Sequence, residues 1–127
     1  MAAEASINRF APANVRAALW ALGALRKVRA VLPEEGVESA GALPPPPAGL
    51  PAAAERGVAA ALTRRSATCL ERALVLQAWH VAHGDRRDLI IGVTAPSADF
   101  RAHAWLDGED PCHGAEPDFT ELLRRPA

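Results

Sequence analysis

The chain has no tyrosine, and only three phenylalanines and three tryptophans among its 127 residues. Half of the residues are apolar, but many of these are alanine, which buries little area per side chain. A core drawn from this set has few large groups to fill it, so marginal stability or reliance on a partner is expected. Charge of either sign is not in excess. The net charge is −1, whereas nucleic-acid binding ordinarily needs a clear basic surplus. Local clusters at Arg26, Lys27 and Arg29 and at Arg64 and Arg65 read most simply as solvated helix faces. Long hydrophobic runs are missing too. The stretch Ala17 to Leu25 falls well short of the roughly 20 residues a membrane span needs, and Glu4 spoils any secretory n-region. A cytoplasmic protein with no nucleic-acid and no membrane partner is expected. Cysteine is scarce, with only Cys69 and Cys112. In a reducing compartment such residues are expected to be free, catalytic or metal-bound rather than disulfide-linked.

A chain of this length makes about one domain and buries roughly two-thirds of its unfolded surface. The first eleven residues carry no periodic signal. From Pro12 to about Leu32, the spacing of Val15, Leu19, Leu22, Leu25 and Val28 predicts a helix, ended by Pro33 and Gly36. Residues 33–51 read as a linker whose Pro44 to Pro47 run favours extended polyproline conformation and acts as a spacer. A second, alanine-rich helix is predicted over Ala52 to Thr63, and a third over Cys69 to Ala82, closed by Gly84. Two strands follow, Asp88 to Thr94 and Phe100 to Asp107. The second alternates, with Phe100, Ala102, Ala104 and Leu106 on one face and Arg101, His103, Trp105 and Asp107 on the other. Asp107-Gly108 is a hairpin-turn dipeptide, so a return strand is expected around Asp110 to His113. Helices followed by a small antiparallel sheet indicate the α+β class.

Two residues invite chemistry. Thr68-Cys69-Leu70-Glu71 fits a capping box, with Thr68 as N-cap and Glu71 reaching back from the third helical position. Cys69 then occupies the first helical position, where unpaired amide N–H groups and the helix dipole favour an anion. Thiolate is the nucleophilic form of cysteine. Glu71 works against this charge and Arg72 for it. His103 lies mid-strand between two alanines, which leave room for another element to approach closely. A histidine on a central strand facing a cysteine at a helix start is the geometry of papain-like and transglutaminase-like Cys–His sites. The other helix histidines, His80 and His83, sit near a helix end where cations suit the dipole and read as structural.

The stretches Cys69-Leu70-Glu71-Arg72-Ala73-Leu74, Ile91-Gly92-Val93 and Phe100-Arg101-Ala102-His103-Ala104-Trp105-Leu106 together resemble the transglutaminase-like leader peptidases of lasso-peptide biosynthesis, over about residues 66–123. The resemblance implies a transglutaminase/papain-like cysteine protease core over residues 52–127, preceded by an N-terminal helix and Pro-rich linker over 1–51, within one compact domain. It implies a ribosomally made precursor peptide as substrate, cut between leader and core, with Cys69 as nucleophile and His103 as base and acid. It also implies a stand-alone form that works with a separate leader-recognition protein and with the lasso cyclase. No cofactor and no metal is expected.

The family normally orients its histidine with a carboxylate from the following strand. Here Asp107 shares the face of His103 but lies roughly 13 Å along the strand, and Asp110, His113 or a backbone carbonyl are the alternatives. Two other readings compete with the protease. Cys69, His103, Cys112 and His113 could form a Cys2His2 zinc site, although no C-x-x-C or H-x-x-x-H pair supports it. The chain could also be a non-catalytic scaffold of the maturation complex.

Overall fold

The computed structural model describes residues 11–40, 43–94, 101–109 and 119–127. Among the described residues, three helices precede three strands: α1 (Pro12–Ala40), α2 (Glu55–Arg64), α3 (Cys69–Ala82), β1 (Leu89–Val93), β2 (Ala102–Leu106) and β3 (Thr120–Arg125), with a 3-10 turn at Ala52–Ala54 ahead of α2. This is the α+β arrangement that the sequence leads one to expect. Among the described residues no helix is long and apolar enough to cross a membrane.

The first helix buries Leu25 and Val28 and packs Leu22 against the core, as their spacing suggests, but alanines take the place of the expected large residues nearer its start. Ala17, Ala21, Ala24, Leu25 and Val28 face the core, while Val15 and Leu19 are exposed at 41% and 63%. The reason is close approach. A β-carbon on Gly57 of α2 would lie 2.0 Å from the carbonyl oxygen of Asn14, so the two backbones nearly touch there. Only alanine-sized side chains fit between helices that close, and larger residues are turned outward. The abundant alanine thus permits tight helix packing despite the small area each residue buries.

α1 also runs further than expected. It carries past Pro33 and breaks at Gly36, whose φ of 79° is left-handed, before ending at Ala40. The proline-rich stretch after it lies against the body of the protein. The indole N–H of Trp20 donates to the Pro44 carbonyl at 3.0 Å, and Pro46 is buried. Further on, His83 Nε2 lies 2.9 Å from the Leu50 carbonyl oxygen and its Nδ1 2.8 Å from that of Trp79. His80 pairs with Glu55 at 3.0 Å. Both histidines have the structural roles expected of them.

The sheet is antiparallel, in the order β2-β1-β3. β1 is therefore its central strand and β2, which carries His103, is an edge strand among the described residues. The return strand expected on the other side of β2, around Asp110 to His113, lies outside the described residues. Leu89 and Leu106 pair across the β1–β2 ladder, as do Ile91 and Ala104, and all four pack on the helical core. Their alternates Ile90, Gly92, His103 and Trp105 share the opposite face. β3 had no clear sequence signal. Its Leu122 and Leu123 are neighbours rather than alternates, both are exposed, and β-branched side chains are scarce in it. Its pairing with β1 slips at Ile91/Gly92, a local irregularity of the bulge type.

Candidate active site

Cys69 opens α3, and its placement follows from hydrogen bonds on both sides. Thr68 Oγ1 accepts from the Glu71 N–H at 3.1 Å, and Glu71 Oε1 accepts from the Thr68 N–H at 2.9 Å, so the expected capping box is formed. The corner before it is also defined. Ser66 adopts a left-handed φ of 53°, and Ser66 and Ala67 donate to the carbonyls of Thr63 and Leu62 at 3.1 and 3.0 Å. These two bonds close the end of α2 as a Schellman motif and set the angle at which α3 leaves. Arg29 on α1 then grips Glu71 through Nε at 3.1 Å and Nη2 at 3.2 Å. Burial raises the affinity of Glu71 for a proton, but the hydrogen bonds from Arg29 and Thr68 and the charge of Arg29 outweigh it. Its carboxyl is held below the usual range. The acidic residue that sequence alone set against a cysteine thiolate is thus neutralised by an arginine from another helix. Cys69 itself is free and half-buried.

His103 is held differently. Its ring stacks on Trp105, with centroids 5.9 Å apart and planes 19° apart, and against Phe119 at 5.6 Å. Trp105 and Phe119 meet at 5.9 Å. The Trp105 ring covers Gly92, which lies opposite His103 in the β1–β2 register. A β-carbon on Gly92 would come within 2.6 Å of the Trp105 ring and 3.0 Å of the Thr120 carbonyl oxygen. Glycine at this position lets Trp105 lie across β1 and form a flat wall for the imidazole.

Cys69 and His103 line one cleft of about 150 Å³, together with Arg72, Ala73 and Leu76 of α3, Ala104 and Trp105 of β2, and Glu109. The helix start and the edge of the sheet therefore bring the two candidate residues to the same opening. Ala73, Leu76 and Ala104 are the small or aliphatic residues of its lining, and Arg72 and Glu109 are the basic and acidic ones among the described residues.

The expected orienting groups fare unequally. Asp107 is engaged elsewhere. It accepts from Arg124 Nη1 at 3.3 Å, and the same guanidinium binds Asp88 at 3.0 Å and Glu121 at 2.8 Å. The hydrogen bonds that Arg124 donates, to Glu121 first and then to Asp88, push its pKa up, and Arg124 in turn holds Glu121 low. Asp110 and His113 lie outside the described residues, as do Phe100, Cys112 and the expected return strand. Two of the four residues of the zinc reading are thus undescribed, and no group of three or more His, Cys, Asp or Glu able to hold a metal occurs among the described residues.

Glu109 was missed by sequence reasoning. The turn falls at Asp107-Gly108, where Gly108 has φ 96° and the Glu109 N–H donates to the Leu106 carbonyl at 3.0 Å. Glu109 Oε1 then accepts from the Leu106 N–H at 2.8 Å. The signal available in the sequence was its position just after the turn, which folds a carboxylate back over the strand end.

A cysteine at a capped helix start and a histidine on a neighbouring antiparallel sheet define an α+β domain with a Cys/His cleft. Residues 12–124 match the family model of the transglutaminase-like superfamily, and the chain belongs to that superfamily, which includes cysteine peptidases and transglutaminases. No curated protein and no solved structure matches the chain.

Proposed function

We propose that the protein is a cysteine peptidase that removes the leader from a ribosomally made lasso-peptide precursor, with Cys69 as nucleophile and His103 as its base and acid. The observation that carries this reading is the shared cleft: Cys69 at the capped start of α3 and His103 on β2 open onto the same space. Membership of the superfamily supports thiol chemistry, and the resemblance of residues 66–123 to leader peptidases supports the choice of substrate.

In this mechanism His103 takes the thiol proton of Cys69, and the sulfur attacks the scissile carbonyl carbon. The negative charge passes to the carbonyl oxygen, where free N–H groups in the first turn of α3 stabilise it. The C–N bond breaks as His103 returns the proton to the leaving amine, which is the new N-terminus of the core peptide. Water, deprotonated by His103, then hydrolyses the thioester and restores the thiol. The Trp105 and Phe119 rings hold the imidazole in plane for both transfers. A separate recognition protein presents the leader, and the freed amine passes to the cyclase.

The test combines the protein, its recognition partner and a precursor peptide, and follows cleavage by mass spectrometry. Leader release by the native chain and none by Cys69→Ala is the expected result. An intact precursor with the native chain, while the partner still binds, would favour the scaffold reading. Stoichiometric zinc in the purified protein would favour the metal reading.

A further inference from the structure

Two basic clusters that lie far apart in the sequence meet at one pocket. Arg26 and Arg29 of α1 and Arg65, just after α2, line a cavity of about 160 Å³ with Leu22 and Leu25. Arg29 Nη2 also donates to the Arg65 carbonyl oxygen at 2.9 Å, which pins the two segments together. Three arginine residues therefore line a single cavity. Glu71, which contacts Arg29 alone of the three, is held by it at 3.1 Å and by the Thr68 N–H at 2.9 Å. Arg26 and Arg65 have no acidic partner among the described residues.

Like charges gathered around a partly apolar hollow repel one another unless an anion sits among them. Guanidinium groups match a carboxylate through paired N–H donors, and Leu22 and Leu25 offer a surface for the methylenes of a glutamate side chain. The pocket has room for roughly five waters at about 30 Å³ each, enough for such a side chain. It also flanks the candidate site. Glu71, which Arg29 holds, lies in the same first helical turn as Cys69. An extended peptide advances about 3.3 Å per residue, and the Glu71 that Arg29 grips is two residues along the helix from Cys69.

We propose that the Arg26–Arg29–Arg65 pocket binds an acidic side chain of the peptide substrate, a few residues from the scissile bond, and so sets its register at Cys69. The assignment to a substrate rests on the peptidase reading. The affinity for a carboxylate does not.

Two measurements separate these. The full chain carrying Cys69→Ala is titrated by fluorescence anisotropy with a labelled peptide containing Glu and Leu, and with its Glu→Gln counterpart. The acidic peptide binds about tenfold more tightly at low salt, the preference narrows as salt is raised, and Arg26→Gln/Arg65→Gln removes it. Arg26→Lys/Arg65→Lys retains part of it. Equal binding of the two peptides, or an undiminished preference in the Arg26→Gln/Arg65→Gln chain, overturns the pocket. In the chain with Cys69 intact, Arg26→Gln/Arg65→Gln raises the KM for a precursor with an acidic residue near the cut about tenfold. An acidic preference in the anisotropy without any change in KM overturns the substrate assignment. If the native chain cleaves nothing, the peptidase reading fails while the anisotropy still decides the pocket.

Discussion

The two walls of the cleft are built by different means. On the helix side, Cys69 is placed by polar bonds of fixed direction: the capping box, the Schellman turn at Ser66 and the Arg29–Glu71 fork. On the sheet side, the described contacts of His103 are with the Trp105 and Phe119 rings, and Trp105 packs over Gly92. Directional bonds are local and tolerate changes elsewhere. A stacked wall depends on the surface beneath it, so one added methyl at Gly92 reaches the imidazole through the Trp105 ring. The described supports of the candidate nucleophile are directional bonds, and those of its candidate base are ring contacts.

The largest test of this contrast removes the groups themselves. His103→Ala and Cys69→Ala should each lower leader cleavage by about 10²- to 10⁴-fold, with thermal unfolding close to that of the native chain. Retained cleavage in either variant would detach the chemistry from the cleft. Next comes the support under the histidine. Gly92→Ala should displace Trp105, cut cleavage by at least about tenfold and destabilise the fold by about 1–3 kcal/mol through overpacking. Unchanged cleavage in that variant would show that the aromatic wall does not position His103.

The helix side should yield less. Thr68→Ala removes one cap bond and should destabilise the chain by about 1 kcal/mol in denaturant unfolding. The same side has a signature in acid. The Glu71 pKa is lower folded than unfolded, so its stabilisation is fully present above the ordinary carboxylate value of 4.5 and is lost as pH falls through the lower folded value. Stability measured downward from pH 5 should fall, and Arg29→Gln should flatten that dependence. The smallest effect is a gain. Ser66→Gly relieves the left-handed backbone at the end of α2 and should stabilise by up to about 1 kcal/mol; a loss instead would mean the serine side chain holds the corner.

Legibility in the sequence follows the same division. Thr68-Cys69-Leu70-Glu71 is a local code, and the helix it announces, Cys69–Ala82, has the expected bounds. The Asp107-Gly108 turn and the β2 alternation were readable for the same reason, since each depends on neighbours one to four residues away. What failed was non-local. Val15 and Leu19 look like a core stripe until α2 is brought so close to α1 that only Ala17, Ala21 and Ala24 fit between them. β3 was unreadable because its pairing is supplied by β1, and its own leucines do not alternate. Asp107 shares a face with His103 along the strand, but the side chain that claims it, Arg124, comes from the far edge of the sheet.

By itself the sequence determined the class of the domain, the capped helix with Cys69 at its first position and the strand that carries His103, because short-range hydrogen bonding and periodicity act within a few residues. Only the tertiary structure decided that Cys69 and His103 share a cleft, that Arg29 neutralises Glu71, that Glu109 folds back over the end of β2, and that Arg26, Arg29 and Arg65 surround one pocket. Each of these depends on chain segments brought together by packing or by a turn, and no local pattern records which groups will meet.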